Sequence, residues 1–172
     1  MTFITTAGWV AQAVKGAVLH GDADTGIARV CTDARKTEPG DLFVGLRGER
    51  FDGTDFAADA AARGASAVMV SRLIEGINAV QIVVPDVNQA FCESAAAWRQ
   101  RFSIPVISVS GSNGKTTTTQ MIASILCEAY GRDGYLSTEG NFNNSVGVPI
   151  TLWRLRDGMK AAVVESGMSH RG

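Results

Sequence analysis

The sequence predicts an α/β protein in which a small mixed unit precedes the start of a parallel, helix-covered sheet. In the second half, apolar runs of strand length alternate with helical patterns, which is typical of parallel sheets. One of these runs, residues 106–110, leads through a glycine-rich turn into the helical pattern at 121–126. An apolar fraction of 45% with 19% charged residues indicates a folded globular chain rather than a disordered one.

Composition and charge argue against several classes of function. The net charge of −1 gives no electrostatic reason to expect a nucleic-acid partner or an anionic membrane. No apolar run approaches the roughly 20 residues that span a bilayer, and residues 1–6 do not form a secretory signal. The widely spaced Cys31, Cys92 and Cys127 favour free thiols over disulfides or zinc ligands. We therefore expect a cytoplasmic protein without a membrane span, and a monomer.

The first unit is expected to hold four or five strands and two helices and to end near Pro85, which gives predicted domains 1–85 and 86–172. Thr54 is the predicted N-cap of an alanine-rich helix, and His20 is placed in a loop with a structural role. The predicted elements of this unit are helices at 6–15 and 54–63 and strands at 28–33, 41–46, 66–70 and 80–84. In the second unit they are helices at 87–102, 117–130 and 147–155 and strands at 106–110, 135–138 and 160–165.

The glycine-rich turn predicts a phosphate-binding loop. Two glycines three residues apart precede Lys115 and Thr116, giving the compact pattern G-x-x-G-K-T over 111–116. Successive backbone N–H groups and the following helix N-terminus attract an anion, Lys115 can reach terminal phosphates, and the Thr116 hydroxyl can bind magnesium. ATPases that partition DNA carry a second lysine near the loop start, where this chain has Ser110. The alternative is a glycine turn followed by a chance Lys-Thr pair. The pattern favours a nucleoside triphosphate site.

Acidic and histidine side chains near the end of the chain could complete such a site. Glu165 follows four apolar residues, so it lies at the carboxyl end of a predicted parallel strand, the edge at which ligands bind. Together with Thr116 it would supply two hard oxygen ligands to Mg²⁺, although an acid at a strand end is otherwise a solvated terminus. His170 lies five residues further on, and a ligand role and a surface role are equally open.

Asparagines and charged residues elsewhere leave their interpretation open. Asn141, Asn143 and Asn144 fit ordinary turn chemistry as well as contacts to sugar or phosphate oxygens. In the first unit, Arg35 and Arg50 could bind phosphates, and Asp33 accompanies them. The alternative for these charges is a solvated surface, which is the simpler interpretation of the residues by themselves.

Taken together, these residues resemble the Mur ligase family of peptidoglycan precursor synthesis. The similarity extends over essentially the whole chain, in register. The matching segments are Thr-Asp-Ala-Arg (32–35), Pro-Gly-Asp-Leu-Phe-Val-Gly-Leu (39–46), Gly-Glu-Arg-Phe-Asp-Gly (48–53), Ser-Gly-Ser-Asn-Gly-Lys-Thr (110–116), Gly-Asn-Phe-Asn-Asn (140–144) and Gly-Val-Pro (147–149).

The resemblance implies a three-domain, ATP-dependent ligase whose terminal motif, 165–172, is similar to that of members which join D-alanyl-D-alanine to UDP-N-acetylmuramoyl-tripeptide. ATP would phosphorylate the peptide carboxylate, and the dipeptide amine would attack the acyl phosphate. Its implied fold class is α/β, a small mixed α/β N-terminal substrate domain followed by the first part of a P-loop parallel-sheet ATPase domain. The alternatives are a meso-diaminopimelate- or lysine-adding member and a non-catalytic module that binds nucleotide or UDP-sugar.

The resemblance also implies a role for individual residues. Lys115, Glu165 and His170 would be catalytic, and Thr116, Glu165 and His170 would bind Mg²⁺. The ATP-binding residues would be Ser110, Gly111, Ser112, Asn113, Gly114, Lys115, Thr116, Asn143 and Asn144. The UDP part of the substrate would be held by Thr32, Asp33, Ala34, Arg35, Glu49, Arg50 and Phe51.

The chain departs from the family in its length. Family members are much longer than 172 residues and carry a lysine, carbamylated in the family, and a C-terminal domain that have no counterpart here. The ATP-binding half has about three predicted strands, where sheets usually have five or six. We therefore expect an N-terminal portion of a larger ligase that is inactive by itself.

Overall fold

The computed structural model describes residues 2–140 and 142–167. The chain divides into two compact units, Met1–Ser94 and Ala95–Gly172. The division falls inside a helix rather than in a loop. The functional boundary predicted after Pro85 stays a prediction. None of the helices in the described ranges combines the length and hydropathy that a membrane span needs.

The first unit is built from short strands and short helices. It also contains single 3-10 turns at Ala34–Lys36 and Gly53–Phe56. Its elements are β1 (Thr5–Thr6), α1 (Ala7–Gln12), β2 (Val18–His20), β3 (Gly26–Ile27), β4 (Arg29–Cys31), β5 (Asp41–Val44), α2 (Ala57–Ala62), β6 (Ala67–Val70), β7 (Val80–Val83) and the start of α3 (Val87–Gln100).

The main sheet of this unit has the order β2-β7-β6-β5-β4 among the described residues. Strands β4 to β7 are parallel, with Val68 of β6 opposite Phe43 of β5 and Gln81 of β7, whereas β2 is antiparallel to β7. The central strands β5 and β6 are buried along their whole length, as continuous apolar runs in parallel sheets usually are. Phe43, Val68 and Val70 form a core with Ala57 and Ala60 of α2.

Three predictions for the first unit are wrong in detail. The unit has seven strands among the described residues instead of four or five, because the two-residue strands β1 and β3 leave no recognisable pattern in the sequence. Thr54 does not cap a helix: Asp52 accepts the Thr54 N–H at 2.9 Å and caps a 3-10 turn, while α2 begins at Ala57. The Thr54 hydroxyl is buried and contacts Ser71 Oγ at 3.0 Å. His20 belongs to strand β2 instead of a loop. A strand this short is defined by its pairing with β7, which lies far along the chain, and so leaves almost no local pattern.

The second unit alternates strands and helices. After the end of α3 come β8 (Val106–Val109), α4 (Lys115–Tyr130), β9 (Tyr135–Ser137), α5 (Gly147–Leu152) and β10 (Ala161–Glu165). In the described residues its sheet has the order β8-β10-β9, with parallel pairing on both sides of β10. The last strand is therefore the central one. This arrangement confirms the predicted α/β class with a parallel sheet in the second unit.

Aromatic packing fixes the position of α5 in this unit. The rings of Trp98 on α3 and Trp153, which follows α5, stack with centroids 5.1 Å apart. Trp98 Nε1 also donates to the Leu155 carbonyl at 3.3 Å. Both tryptophans are buried. This packing holds α5, and with it the end of the polar segment that precedes α5, against α3.

Candidate nucleotide and magnesium site

The glycine-rich loop of residues 110–114 connects β8 to the 16-residue helix α4. Gly111 and Gly114 have φ angles of +148° and +73°, a region that favours glycine. A Cβ on Gly114 would meet nothing within 4 Å, so its backbone angle, and not space, requires the glycine. With this turn the first N–H groups of α4 are free to bind an anion, as helix N-termini do.

Lys115 lies across this loop. Its Nζ donates to the Gly111 carbonyl oxygen at 2.8 Å, so the ammonium group is held next to the backbone that would surround a phosphate. A charge-assisted bond to a phosphate oxygen is stronger than a bond to a neutral carbonyl. The geometry therefore suits a lysine whose ammonium group gives up its hydrogen bond to the Gly111 carbonyl when an anion binds.

Glu165 is the buried acid of the site. It is the last residue of the central strand β10, and it is 2% exposed. Its Oε1 accepts from Asn143 Nδ2 at 2.8 Å and from the Thr116 hydroxyl at 3.4 Å. The backbone N–H of Glu165 donates to Thr138 Oγ1 at 2.9 Å. The structure thus brings together the loop threonine, the strand-end acid and one of the asparagines predicted from the sequence.

The donor set fits magnesium. Thr116 Oγ1 and Glu165 offer hard oxygen atoms at one place, and Mg²⁺ commonly takes one or two protein oxygens together with phosphate and water. Within residues 2–140 and 142–167, no cluster of three or more His, Cys, Asp or Glu side chains could hold a metal by itself. The remaining predicted ligand, His170, lies outside the described residues.

The asparagine segment is fixed by internal hydrogen bonds. The Asn143 carbonyl oxygen accepts from Gly167 N at 2.6 Å. The side-chain oxygen of Asn144 accepts from Val146 N at 3.1 Å and from Gly147 N at 2.8 Å, which ties it to the start of α5. Turn chemistry, one of the two open interpretations, therefore describes Asn144 in this structure. Asn141 lies outside the described residues.

The segment Thr32–Arg35, predicted to bind substrate, follows β4 at the carboxyl edge of the first sheet. Arg35 Nε and Nη2 each donate to the Asp33 carboxylate at 2.9 Å. This hydrogen bonding lowers the pKa of Asp33 to about 2. The Arg35 side chain remains 86% exposed, and Ala34 begins the 3-10 turn that Asp33 caps. The pair is therefore a surface contact that a ligand can still reach.

The second predicted substrate segment is a small hairpin after β5. Arg47 and Asp52 form an isolated antiparallel bridge, and Gly48 N donates to the Phe51 carbonyl at 2.9 Å. Glu49, Arg50 and Phe51 are exposed at its tip. Because β4 and β5 are neighbours, both predicted substrate segments lie at one edge of the first sheet.

Sequence reasoning missed the side chains that hold these segments. Asn88 of α3 pairs with the backbone of Arg47 through two hydrogen bonds of 2.8 Å. Arg72, after β6, forms ion pairs with Asp52 at 3.8 Å and with Asp55. Thr138 supports Glu165 from the end of β9. Thr138 and Arg72 could have been found from the sequence, because each is a polar residue shortly after a parallel strand. No feature of the sequence indicated the role of Asn88.

Comparison with known families accounts for most of the chain. The Mur ligase middle domain matches residues 109–172, and the Mur ligase family catalytic domain matches residues 26–110. These two matches meet at the start of the phosphate loop and together extend from residue 26 to residue 172.

Individual relatives agree with this result. The chain is 45% identical over 158 residues to UDP-N-acetylmuramoyl-tripeptide--D-alanyl-D-alanine ligase of Escherichia coli, covering 90% of this chain and 34% of that protein. A structure of UDP-N-acetylmuramoylalanyl-D-glutamyl-2,6-diaminopimelate--D-alanyl-D-alanyl ligase from Acinetobacter baumannii matches with a TM-score of 0.89 and 39% identity, over 98% of this chain and 37% of that one.

A more distant solved structure extends the comparison. MurF ligase from Thermotoga maritima in complex with ADP matches with a TM-score of 0.72 and 29% identity, over 84% of this chain and 33% of that one. The chain thus spans about a third of the length of the proteins that it matches. Matching domains, sequence identity and fold lead to one conclusion: the chain belongs to the Mur ligase family.

Proposed function

We propose that this chain is part of an ATP-dependent ligase that adds D-alanyl-D-alanine to UDP-N-acetylmuramoyl-tripeptide in cytoplasmic peptidoglycan precursor synthesis. The contact that carries the proposal is the one that holds the buried Glu165 carboxylate beside Thr116 at the end of the phosphate loop. The relatives named above carry this activity in their names. The UDP-N-acetylmuramoyl-L-alanyl-D-glutamate--2,6-diaminopimelate ligase of Syntrophomonas wolfei matches at 39% identity over a shorter stretch of 121 residues, so the diaminopimelate-adding alternative is less favoured.

The reaction needs a phosphoryl transfer and then an acyl transfer. The γ-phosphoryl group of ATP passes to the terminal carboxylate of the tripeptide, which gives an acyl phosphate and ADP. The amine of D-alanyl-D-alanine attacks the acyl carbon, phosphate leaves, and the nitrogen loses a proton as the amide bond forms. Catalysis of the first step rests on positioning and on neutralising charge, and much less on covalent chemistry by the protein.

The residues of the second unit fit that first step. The N–H groups of residues 110–116 would surround the β- and γ-phosphates, and Lys115 would move from the Gly111 carbonyl to a phosphate oxygen. Thr116 and Glu165 would hold Mg²⁺, which when bound neutralises charge on the phosphates. The Thermotoga maritima relative was solved in complex with ADP, which supports a nucleotide as the ligand. His170 would add a further metal ligand, as the family resemblance implies.

The first unit would bind the UDP part of the substrate. Residues 32–35 supply Arg35, and the exposed tip at 49–51 supplies Arg50 and the ring of Phe51, which is 60% exposed. Both segments lie at one edge of the sheet. Arginine suits phosphate recognition, and an exposed ring offers a stacking surface. Accordingly, 1–85 would be the substrate domain and 86–172 the start of the ATP-binding domain. For these 172 residues by themselves we propose ligand binding without turnover.

Phosphate release by the protein encoded by the complete reading frame tests the proposal. Release should require ATP, UDP-N-acetylmuramoyl-tripeptide and D-alanyl-D-alanine together, and preference for a single amino acid as acceptor would refute it. Lys115→Ala should lower the rate at least about 100-fold, because the transferring phosphoryl group loses a positioned cation. The fold should persist, as judged by circular dichroism, because Lys115 is a partly exposed side chain that hydrogen-bonds to the loop backbone.

Lys160→Ala is the matched control, since Lys160 is an exposed lysine of the same unit whose hydrogen bond to the Gly134 carbonyl comes from its backbone N–H. Its activity should stay within about two-fold of the unmodified protein, as expected for a surface substitution. Near-normal turnover in Lys115→Ala would contradict the role of the phosphate loop.

A further inference from the structure

The segment before α5 carries two neighbouring asparagines with opposite hydrogen-bonding roles. Asn143 acts as a donor through Nδ2, which lies 2.8 Å from Glu165 Oε1. Asn144 acts as an acceptor through Oδ1, toward the N–H groups of Val146 and Gly147. The two side chains have the same chemistry, so only the fold separates their tasks.

Within residues 2–140 and 142–167, the side chains of Asn143 and Thr116 contact the Glu165 carboxylate, and the contact made by Asn143 is the shorter. The Thr116 hydroxyl lies at 3.4 Å from the same oxygen, near the limit for a hydrogen bond. Both donors use Oε1, so neither of them occupies the lone pairs of Oε2. Glu165 is 2% exposed, and a buried polar oxygen that lacks such a donor is costly to the fold.

Asn143 is itself held in a fixed orientation. Its carbonyl oxygen accepts from Gly167 N at 2.6 Å, just beyond the strand that carries Glu165. A Cβ on Gly167 would lie 3.0 Å from that carbonyl oxygen, so a side chain there would be crowded. Backbone and side chain of Asn143 thus join the same strand end, which fixes the direction of the amide.

We infer that Asn143 is a positioning residue that orients the Glu165 carboxylate for the magnesium ion accompanying the nucleotide, and does not contact the nucleotide itself. This inference rests on the proposed function and changes the role that the resemblance implied for Asn143. Side chains that orient metal ligands in this way typically change metal affinity by 10–100-fold when they are removed.

Calorimetry on the 172-residue chain, with ADP in the presence and absence of Mg²⁺, tests the inference. In Asn143→Ala, affinity for metal-free ADP should stay within about two-fold of the unmodified chain. The factor by which Mg²⁺ tightens ADP binding should fall at least about tenfold. An equal loss of affinity with and without Mg²⁺ would indicate direct contact with the nucleotide and would overturn the inference.

Substitution of each asparagine by aspartate, which has nearly the same shape, distinguishes their two roles further. Asn143→Asp replaces the donor by a carboxylate facing Glu165, so the Mg²⁺-free chain should unfold at a lower temperature. Asn144→Asp keeps the acceptor for the helix start and should preserve the unfolding temperature. Asn78→Asp, at an exposed site in the first unit, controls for the added charge and should leave ADP binding unchanged. Equal destabilisation by the first two variants would count against the inference.

A double-mutant cycle between Asn143→Ala and Glu165→Ala, followed by urea unfolding, tests the contact without nucleotide. The unfolding equilibrium constants should deviate from additivity by at least about five-fold, because contacting residues couple. Additive effects would overturn the inference whatever the result of the ADP-binding measurements. Failure of the unmodified chain to bind ADP, with the coupling intact, would instead count against the proposed function and the metal role that depends on it.

Discussion

Several side chains with predicted ligand roles are already hydrogen-bonded within the chain. Lys115 donates to the Gly111 carbonyl, Arg35 to the Asp33 carboxylate, and Asn144 accepts at the start of α5. Such contacts restrict rotamers before a ligand arrives and so reduce the entropy lost on binding. A charged partner can replace the first two contacts, whereas Asn144 is used for a structural purpose.

The Asp33–Arg35 pair gives a prediction about pH. Because the pKa of Asp33 is about 2 in the folded chain and lies below its usual value of 3.8, the pair stabilises the fold above about pH 4. That contribution is lost as the pH falls toward about 2, and it is small because the pair is exposed. In Arg35→Ala, carboxyl NMR titration should show the pKa of Asp33 rising toward its usual value.

Arg50→Ala is the control for this titration, because Arg50 is an exposed arginine on a different segment. It should leave the pKa of Asp33 unchanged. An unchanged pKa of Asp33 in Arg35→Ala would show that the low value has another cause.

Among the elements, the hairpin at residues 47–52 depends on residues far from it in the sequence. Asn88 replaces a neighbouring strand by pairing with both the N–H and the carbonyl of Arg47. On the other side, Asp52 contacts Arg72 and Ser71, which follow β6. An exposed loop held at its base in this way can present its tip residues in a constant arrangement.

Removal of the Asn88 side chain should loosen this hairpin. The two hydrogen bonds contribute about 1 kcal/mol each at most, since the site is exposed. In Asn88→Ala, limited trypsin digestion should therefore cut after Arg50 roughly tenfold faster, provided that cleavage follows local opening. Gln89→Ala, on the same helical turn but without contact to the hairpin, should digest at the original rate. Equal digestion rates for the unmodified protein and both variants would show that Asn88 does not hold the hairpin.

At the level of the whole molecule, the candidate residues of each unit lie at the carboxyl ends of its parallel strands. The buried side chains that stabilise each unit lie at the centre of its sheet. In the first unit the candidate residues follow β4 and β5, and in the second they follow β8 or end β10. Open α/β sheets bind ligands at this edge because loops and helix N-termini converge there. Substitutions at the centre and at the edge should therefore have separable effects.

Phe43→Ala is the test at the centre. Phe43 is 1% exposed on β5, and its loss should lower the free energy of unfolding by about 3–5 kcal/mol, because a cavity remains between the sheet and α2. Urea unfolding followed by circular dichroism measures the change. Leu73→Ala, at a side chain 49% exposed, should shift the free energy by at most about 0.5 kcal/mol. A small effect of Phe43→Ala would contradict the core assigned to this unit.

The sequence by itself determined the glycine-rich turn between β8 and α4, the strand-end position of Glu165 and the parallel sheet of the second unit. These features depend on local chemistry: two glycines that permit unusual backbone angles, a helical pattern after the loop, and apolar runs of strand length. Boundaries of the predicted elements differ from the observed ones by at most three residues, as for the helix predicted to begin at Thr54, which begins at Ala57, because caps and 3-10 turns depend on single hydrogen bonds.

Only the tertiary structure decided which polar side chains meet. Asn143 and Asn144 are indistinguishable in sequence, yet one contacts Glu165, 22 positions away, and the other caps a local turn. The pairing of Asn88 with Arg47, at a separation of 41 residues, is equally long-range. The physical reason is that backbone conformation follows largely from near neighbours, whereas a hydrogen bond between distant residues exists only after the sheet has fixed both ends.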